Sequence, residues 1–313
     1  MFGRGAKASF TGKVAIVTGG ASGIGRALCL ELARRGAEVV IADRDVEGAR
    51  AVAGEVREAG GRATPEELDV RDLDAFEHVV TRAVARSGKV DLLFNNAGIG
   101  VGGEADGYAP EDWDDVLDVN LRGVTNGIQA VYGQMIAQRS GHIVNTASVL
   151  GLVGLPGQAS YSAAKHGVVA TSRVLRVEAK RHGVRVSVLC PGAVWTPILG
   201  GGRYGHVGYD GLGDEAVKKL WATLRPIQPE ELARRALDAV LRDEAVIVVP
   251  GWWRALWMLD RLAPVAVLRA YELLLAKTRR DIAAVGAVRA NRTSRRATPP
   301  GDVPGKARRP MSN

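Results

Sequence analysis

Tyr161 and Lys165 stand four apart in Tyr161-Ser162-Ala163-Ala164-Lys165, a spacing that puts a phenol and an ammonium one turn apart on the same face of a helix. A free tyrosine titrates near pH ~10, too high to exchange protons efficiently at neutrality. A neighbouring cation favours the phenolate, and a shift of about 2–3 units, worth roughly 3–4 kcal/mol, brings it into working range. Alone the pair is a weak signal, because such spacings also occur on solvated helix faces. Here it follows a glycine-rich turn and Ser148, a combination that chance explains poorly.

The glycine-rich turn supplies the second half of the chemistry. Lys13-Val14-Ala15-Ile16-Val17-Thr18 is a short, β-branched apolar run, the pattern of a buried parallel strand. It enters Gly19-Gly20-Ala21-Ser22-Gly23-Ile24-Gly25 and then a helical stretch that Gly36 stops. Strand, glycine turn and helix N-terminus together favour an anion held by backbone N–H groups. Gly19 suits the tight turn, Gly23 admits close approach by a pyrophosphate, and Gly25 lets helix and strand pack. The next strand ends at Asp43, eighteen residues past Gly25, about where a carboxylate accepts hydrogen bonds from an adenosine ribose. The expectation is a dinucleotide site.

These residues resemble the classical short-chain dehydrogenase/reductase family. The resemblance rests on Gly19, Gly23 and Gly25 in Gly-x-x-x-Gly-x-Gly, on Asn95-Asn96-Ala97-Gly98, on Pro191-Gly192-Ala193-Val194-Trp195-Thr196, and on Asn120, Ser148, Tyr161 and Lys165 as the catalytic four. It runs from about Gly12 to Pro250, and the motifs fall in the family's order. The resemblance implies an NAD(P)-dependent oxidoreductase exchanging hydride with a carbinol or carbonyl carbon. Tyr161 would be the proton donor or acceptor and Ser148 the hydrogen-bond donor to the substrate oxygen. It further implies that Lys165 holds the nicotinamide ribose, that Asn120 orders a water linking Lys165 to solvent, and that Asp69 meets the adenine amino group with Val70 against the ring. Ser22, Ile24, Asn95, Val194 and Thr196 join the expected cofactor contacts, and a homodimer or homotetramer is the implied assembly.

Alternating strand and helix signals fit an α/β fold, a Rossmann-type doubly wound parallel sheet in a single domain with a C-terminal helical extension. The expected divisions are a catalytic domain over 1–250, a Trp/Leu-rich helical extension over 251–290 and a disordered basic tail over 291–313. Pro65 suits an edge strand, which strand order 3-2-1-4-5-6 makes of the third. One long helix from about Pro110 to Arg139 is expected to carry Asn120. Gly19–25, Asp43, Asn95, Ser148 and 191–196 then all fall at carboxyl ends of strands, where open α/β sheets bind ligands.

At 313 residues, 46% hydrophobic, the chain can bury one large core. No N-terminal stretch has the apolar length of a signal peptide, so a cytoplasmic place is expected. Cys29 and Cys190 sit in apolar surroundings and suit core packing, and no His/Cys/Asp/Glu cluster has metal-ligand spacing. From Lys277 onward there are ten Lys/Arg against two Asp, which is the whole formal charge of +8. The body before it is neutral, so nucleic acid is not an expected partner.

Asp43 repels the 2′-phosphate of NADP, so NAD is favoured; Arg44 beside it is the residue that would clamp that phosphate instead. The apolar run Val149 to Leu155 borders the site and favours an apolar alcohol or ketone of steroid, retinoid or lipid kind. A 3-oxoacyl thioester is the alternative substrate, and a catalytically silent dinucleotide-binding scaffold the alternative class. A glycine-dense stretch over 200–213 reads either as a lid or as a plain loop. Trp252 to Leu275 reads as two helices split by Pro264, whose longest uncharged run, 262–268, is too short to span a membrane. Either these helices lie in a membrane interface, assisted by the basic tail, or their apolar face packs on the body or on another subunit.

Overall fold

The computed structural model describes residues 10–200, 222–277 and 279–280. Most of the glycine-dense stretch (201–213), the end of the extension (281–290) and the basic tail (291–313) lie outside the described residues. Seven strands form one parallel sheet in the order β3-β2-β1-β4-β5-β6-β7. They are β1 (Val14–Thr18), β2 (Glu38–Asp43), β3 (Arg62–Glu67), β4 (Leu92–Asn95), β5 (Gly141–Thr146), β6 (Val184–Pro191) and β7 (Val246–Val249). The expected order holds, with β7 added beyond β6. Pro65 lies opposite Ile41 on β3, the edge strand, the place in a sheet where proline is tolerated.

Helices cover both faces, which is why the central strands read as continuous apolar runs. Ala15 and Val17 of β1 point to α1 (Gly23–Arg34) and α7 (Pro229–Leu241), meeting Leu28, Leu32 and Leu237. Ile16 points the other way, to Phe76 and Val79 of α3 (Leu73–Ser87) and Met135 of α5 (Gly123–Gln138). Between β2 and β3 lies α2 (Val46–Glu58), and α6 (Ala159–Ala179) leads into β6. Both cysteines are buried, and burial pushes both thiols up, Cys190 to about 12, so they serve as packing.

The expected long helix over 110–139 is broken. α4 (Pro110–Leu117) passes into a π turn, Asp118–Arg122, before α5 resumes. The wider turn inserts a residue into the helical ladder and re-aims side chains, a device concentrated at functional sites. Asn120 lies inside it. The extension is a pair of helices, α8 (Trp253–Leu262) and α9 over 264–277, with Pro264 opening the second.

His142 on β5 makes the fold acid-sensitive. Its Nε2 lies 2.8 Å from Ser187 Oγ, and Ser187 donates its own proton to the Glu244 carbonyl at 2.7 Å. Ser187 therefore accepts from Nε2–H, while the buried Nδ1 has no partner for a second proton. Burial accordingly pushes the imidazole down from 6.5 to about 3. The unfolded chain takes up this proton at higher pH than the folded one. Stability is thus intact above pH 6.5 and falls as pH drops from there toward 3, by up to about 1.4 kcal/mol per pH unit. Urea midpoints measured from pH 7 to 4 should fall less steeply for His142→Gln, which keeps a donor toward Ser187 but does not titrate. Parallel slopes for the two proteins would refute this role.

Candidate active site

The turn between β1 and α1 is a cradle that only glycine permits. A Cβ on Gly25 would stand 1.9 Å from the Gly19 carbonyl oxygen, and one on Gly19 would stand 2.8 Å from Ala97 Cα. Gly23 has φ +52°, and its Cα faces Thr196, whose methyl would lie 3.2 Å from an added Cβ. The N-cap, Ser22, makes no side-chain cap bond and the first turn of α1 carries no acidic residue. Positive helix-end N–H groups thus face the cavity with no carboxylate of their own turn against them, which suits a pyrophosphate.

The acidic residues beyond this turn are more occupied than their sequence suggests. Asp43 ends β2 and accepts from Ala21 N–H at 2.9 Å and from Asp45 N–H at 2.8 Å. One oxygen thereby braces the glycine turn, and each retains a lone pair for a ribose hydroxyl. Arg44 is exposed on the cavity rim. Asp69 lines the cavity, yet its carboxylate is engaged by the Arg71 guanidinium at 2.7–3.1 Å and by Arg71 N–H at 3.1 Å. Those bonds hold its carboxyl below the usual range. Arg71 thus takes up much of the acceptor capacity that Asp69 would offer an adenine amino group. Arg71, which no motif marks, joins it on the wall, and Asn126 fixes the carbonyls of Val70 and Arg71 at 2.9 and 3.0 Å.

Asn95 is a correction. It is buried, donates to Asn145 Oδ1 at 2.9 Å and to the Val124 carbonyl at 3.3 Å, and does not line the cavity. Asn96, Ala97 and Gly98 line it instead. Asn96 donates to the Thr18 carbonyl at 3.0 Å, and the backbone N–H groups of Asn96 and Ala97 meet Thr18 Oγ1 at 2.9 and 3.1 Å. The end of β4 is thereby pinned to the end of β1.

Ser148, Tyr161 and Lys165 converge on this cavity. Ser148 accepts from Leu150 N–H at 3.1 Å, which orients its oxygen and leaves its proton for a substrate oxygen. Lys165 Nζ donates to the Thr146 carbonyl at 2.9 Å and lies 5.5 Å from the centre of the Tyr161 ring. Asn120 stands one layer back, outside the lining. Its Oδ1 accepts from Ile99 N–H and its Nδ2 donates to the Ile99 carbonyl, both at 2.9 Å. A Cβ on Gly98 would lie 3.0 Å from Asn120 Oδ1 and 3.7 Å from Lys165 Nζ. Both polar ends of the Asn120 side chain are thus spent on the 98–99 strap, and its visible role is positional.

The electrostatics also differ from expectation. Burial pushes the Tyr161 phenol up to about 12, with the neighbouring Ser148 hydroxyl acting the other way. Burial pushes the Lys165 ammonium down to about 8. Helical spacing predicts proximity, but loss of solvation is the largest cause of both shifts. Tyr161 is therefore a neutral acid at neutrality, suited to giving a proton to a reduced oxygen, while Lys165 sits near the edge of its charged range.

The cavity holds about 620 Å³ and continues past Val194 and Thr196 to an apolar lobe. The extension closes that lobe: Trp253, Leu256, Tyr271 and Leu274 line it. Trp253 lies so close over Gly192 that a Cβ there would fall 2.0 Å from its Nε1. Trp253 Nε1 and the Tyr271 hydroxyl are buried without hydrogen-bond partners among the described residues.

A family model described as short chain dehydrogenase matches residues 13–203. Levodione reductase of Leifsonia aquatica is 42% identical over 193 residues, 61% of this chain and 72% of that protein. Among solved structures, a short chain dehydrogenase/reductase from Burkholderia phymatum in complex with NAD superposes with TM-score 0.73 at 30% identity, covering 83% of this chain and 95% of the other. A metagenomic short-chain oxidoreductase in complex with NADP superposes with TM-score 0.63 at 32% identity, covering 77% and 98%. The family model covers more than half of the sequence, and the chain belongs to the short-chain dehydrogenase family, whose chemistry is NAD(P)-dependent oxidoreduction at CH–OH groups.

Proposed function

We propose that the chain interconverts an apolar secondary alcohol and its ketone, with NAD as the preferred cofactor. The observation that carries the substrate class is the lobe beyond Tyr161, walled by Leu150, Val153, Leu155, Leu199, Leu256 and Leu274. The glycine cradle, Asp43 and Lys165 would hold the dinucleotide, which when bound supplies or accepts the hydride. The chain's own residues do the rest. Ser148 orients the reacting oxygen, Tyr161 exchanges its proton, and the apolar walls exclude water.

The test is a screen of steroid, retinoid and fatty alcohols and ketones with NAD and NADP, followed by nicotinamide absorbance. Turnover confined to 3-oxoacyl thioesters, or absent altogether, overturns the reading. The cofactor preference has its own variant. Asp43→Asn keeps an oxygen for Ala21 N–H but removes the charge near the 2′-position. The ratio of kcat/KM values should move toward NADP by about ten- to a hundredfold, equivalent to about 1–3 kcal/mol. An unchanged ratio would remove Asp43 as the selector.

A further inference from the structure

We propose that the outer face of the α8–α9 pair docks on an anionic lipid bilayer. The two helices present opposite sides to different surroundings. Trp253, Leu256 and Trp257 of α8, at helical spacing, face the body and pack with its core, while Met258, Leu259 and Leu262 are exposed, Leu262 at 79%. On α9, Val267 is buried against the body, while Val265, Leu268 and Leu273 are exposed, Leu273 at 76%. Of the twelve exposed large hydrophobics among the described residues, eight lie between Trp252 and Leu274. A cluster of that density is a contact surface, not ordinary scatter.

Charge identifies the occupant. Residues 252–280 carry six Lys/Arg against Asp260 and Glu272. Arg254 is tied to Glu244 and Arg279 to Glu104. Arg261, Arg269, Lys277 and Arg280 are exposed and have no carboxylate within ion-pair distance among the described residues. Arg261 lies over the Trp257 ring, 5.8 Å from its centre. An apolar ridge flanked by arginine and tryptophan, on helices with no segment long and apolar enough to cross a membrane, fits the interface of a bilayer with anionic headgroups. A second copy fits less well, because a two-fold contact through this face would bring two cationic patches together. Leu274 is half exposed and also lines the cavity, so docking brings the wall of the apolar lobe to the lipid. The docking itself does not depend on which substrate the site takes.

The full-length protein should co-float with vesicles of phosphatidylcholine and phosphatidylglycerol at low salt. Binding should fall by about tenfold or more on phosphatidylcholine alone or at high salt. A Leu262→Glu/Leu273→Glu double variant should lose binding while keeping its helical circular dichroism and its turnover of a water-soluble substrate, both positions being solvent-exposed. Arg261→Gln/Arg269→Gln should weaken binding and its salt dependence together. Absence of binding to anionic vesicles at low salt overturns the proposal. Binding that survives the Leu→Glu pair overturns it in favour of electrostatic capture by the basic tail. Loss of self-association in that variant, with no vesicle binding by the parent, overturns it in favour of a subunit interface.

Discussion

Tyr161→Phe should lower kcat by about 10²–10⁴-fold while leaving cofactor affinity nearly unchanged. The phenyl ring keeps the packing of a side chain that the protein buries against Ile99, Val116 and Ala164, so only the hydroxyl is lost. That hydroxyl keeps its proton securely at neutrality, since burial carries it to about 12. Ser148 cannot replace it. An aliphatic hydroxyl is a far weaker acid than a phenol, and the Leu150 N–H that Ser148 accepts at 3.1 Å fixes its oxygen without making it a proton source. Steady-state rates in the reducing direction, paired with cofactor titration by fluorescence, separate the two effects. Turnover within a few-fold of the parent protein would move the proton-transfer role off Tyr161. A matching loss of cofactor affinity would instead mean that the hydroxyl helps seat the cofactor.

The parts of the fold legible in the sequence are those set by local, period-bound signals. Short β-branched runs closed by glycine or asparagine mark strands buried on both faces, and their alternation with helical stretches leaves few topologies. The glycines at 19, 23 and 25 carry their reason with them, because a Cβ at Gly25 has no room beside the Gly19 carbonyl. What could not be read depends on contacts between distant segments. Asn95 and Asn96 are adjacent and chemically identical, yet strand pleat buries the first against Asn145 and Val124 and turns the second to the cavity side. The π turn at Asn120 has no periodic signature in a segment whose composition suits one continuous helix. Its reason lies 21 residues upstream, in the Ile99 peptide that Asn120 grips from both sides. Arg71 claims Asp69 through a pairing two residues apart, too short a spacing for any helix or strand pattern to advertise. The extension was ambiguous for the opposite reason. Its apolar residues are numerous enough for two faces, and only the packing of Trp253 over Gly192 separates the inner from the outer.

Lys165→Ala should cost both cofactor affinity and rate, unlike Tyr161→Phe. Lys165 is 2% exposed, and its ammonium reaches the Thr146 carbonyl at 2.9 Å, at the carboxyl end of β5 beside Ser148. Truncation to Ala removes the buried donor, leaves that carbonyl without it, and opens a gap beneath Gly98, whose added Cβ would lie 3.7 Å from Nζ. Losing one preorganised donor in a water-poor site costs about 10²–10³-fold in rate. The pH profile gives a readout that a packing defect does not share. Burial lowers the Lys165 ammonium from 10.5 to about 8, so its charge is intact below that value and is lost as pH rises through it. If that charge supports proton donation by Tyr161, the reducing rate of the parent protein should decline above about pH 8, and the Ala variant should lack this limb. A basic limb of the same position in Lys165→Ala would assign the titration to another group. A loss confined to rate, with cofactor affinity intact, would leave the ammonium as an electrostatic partner of Tyr161 and remove its contact with the dinucleotide.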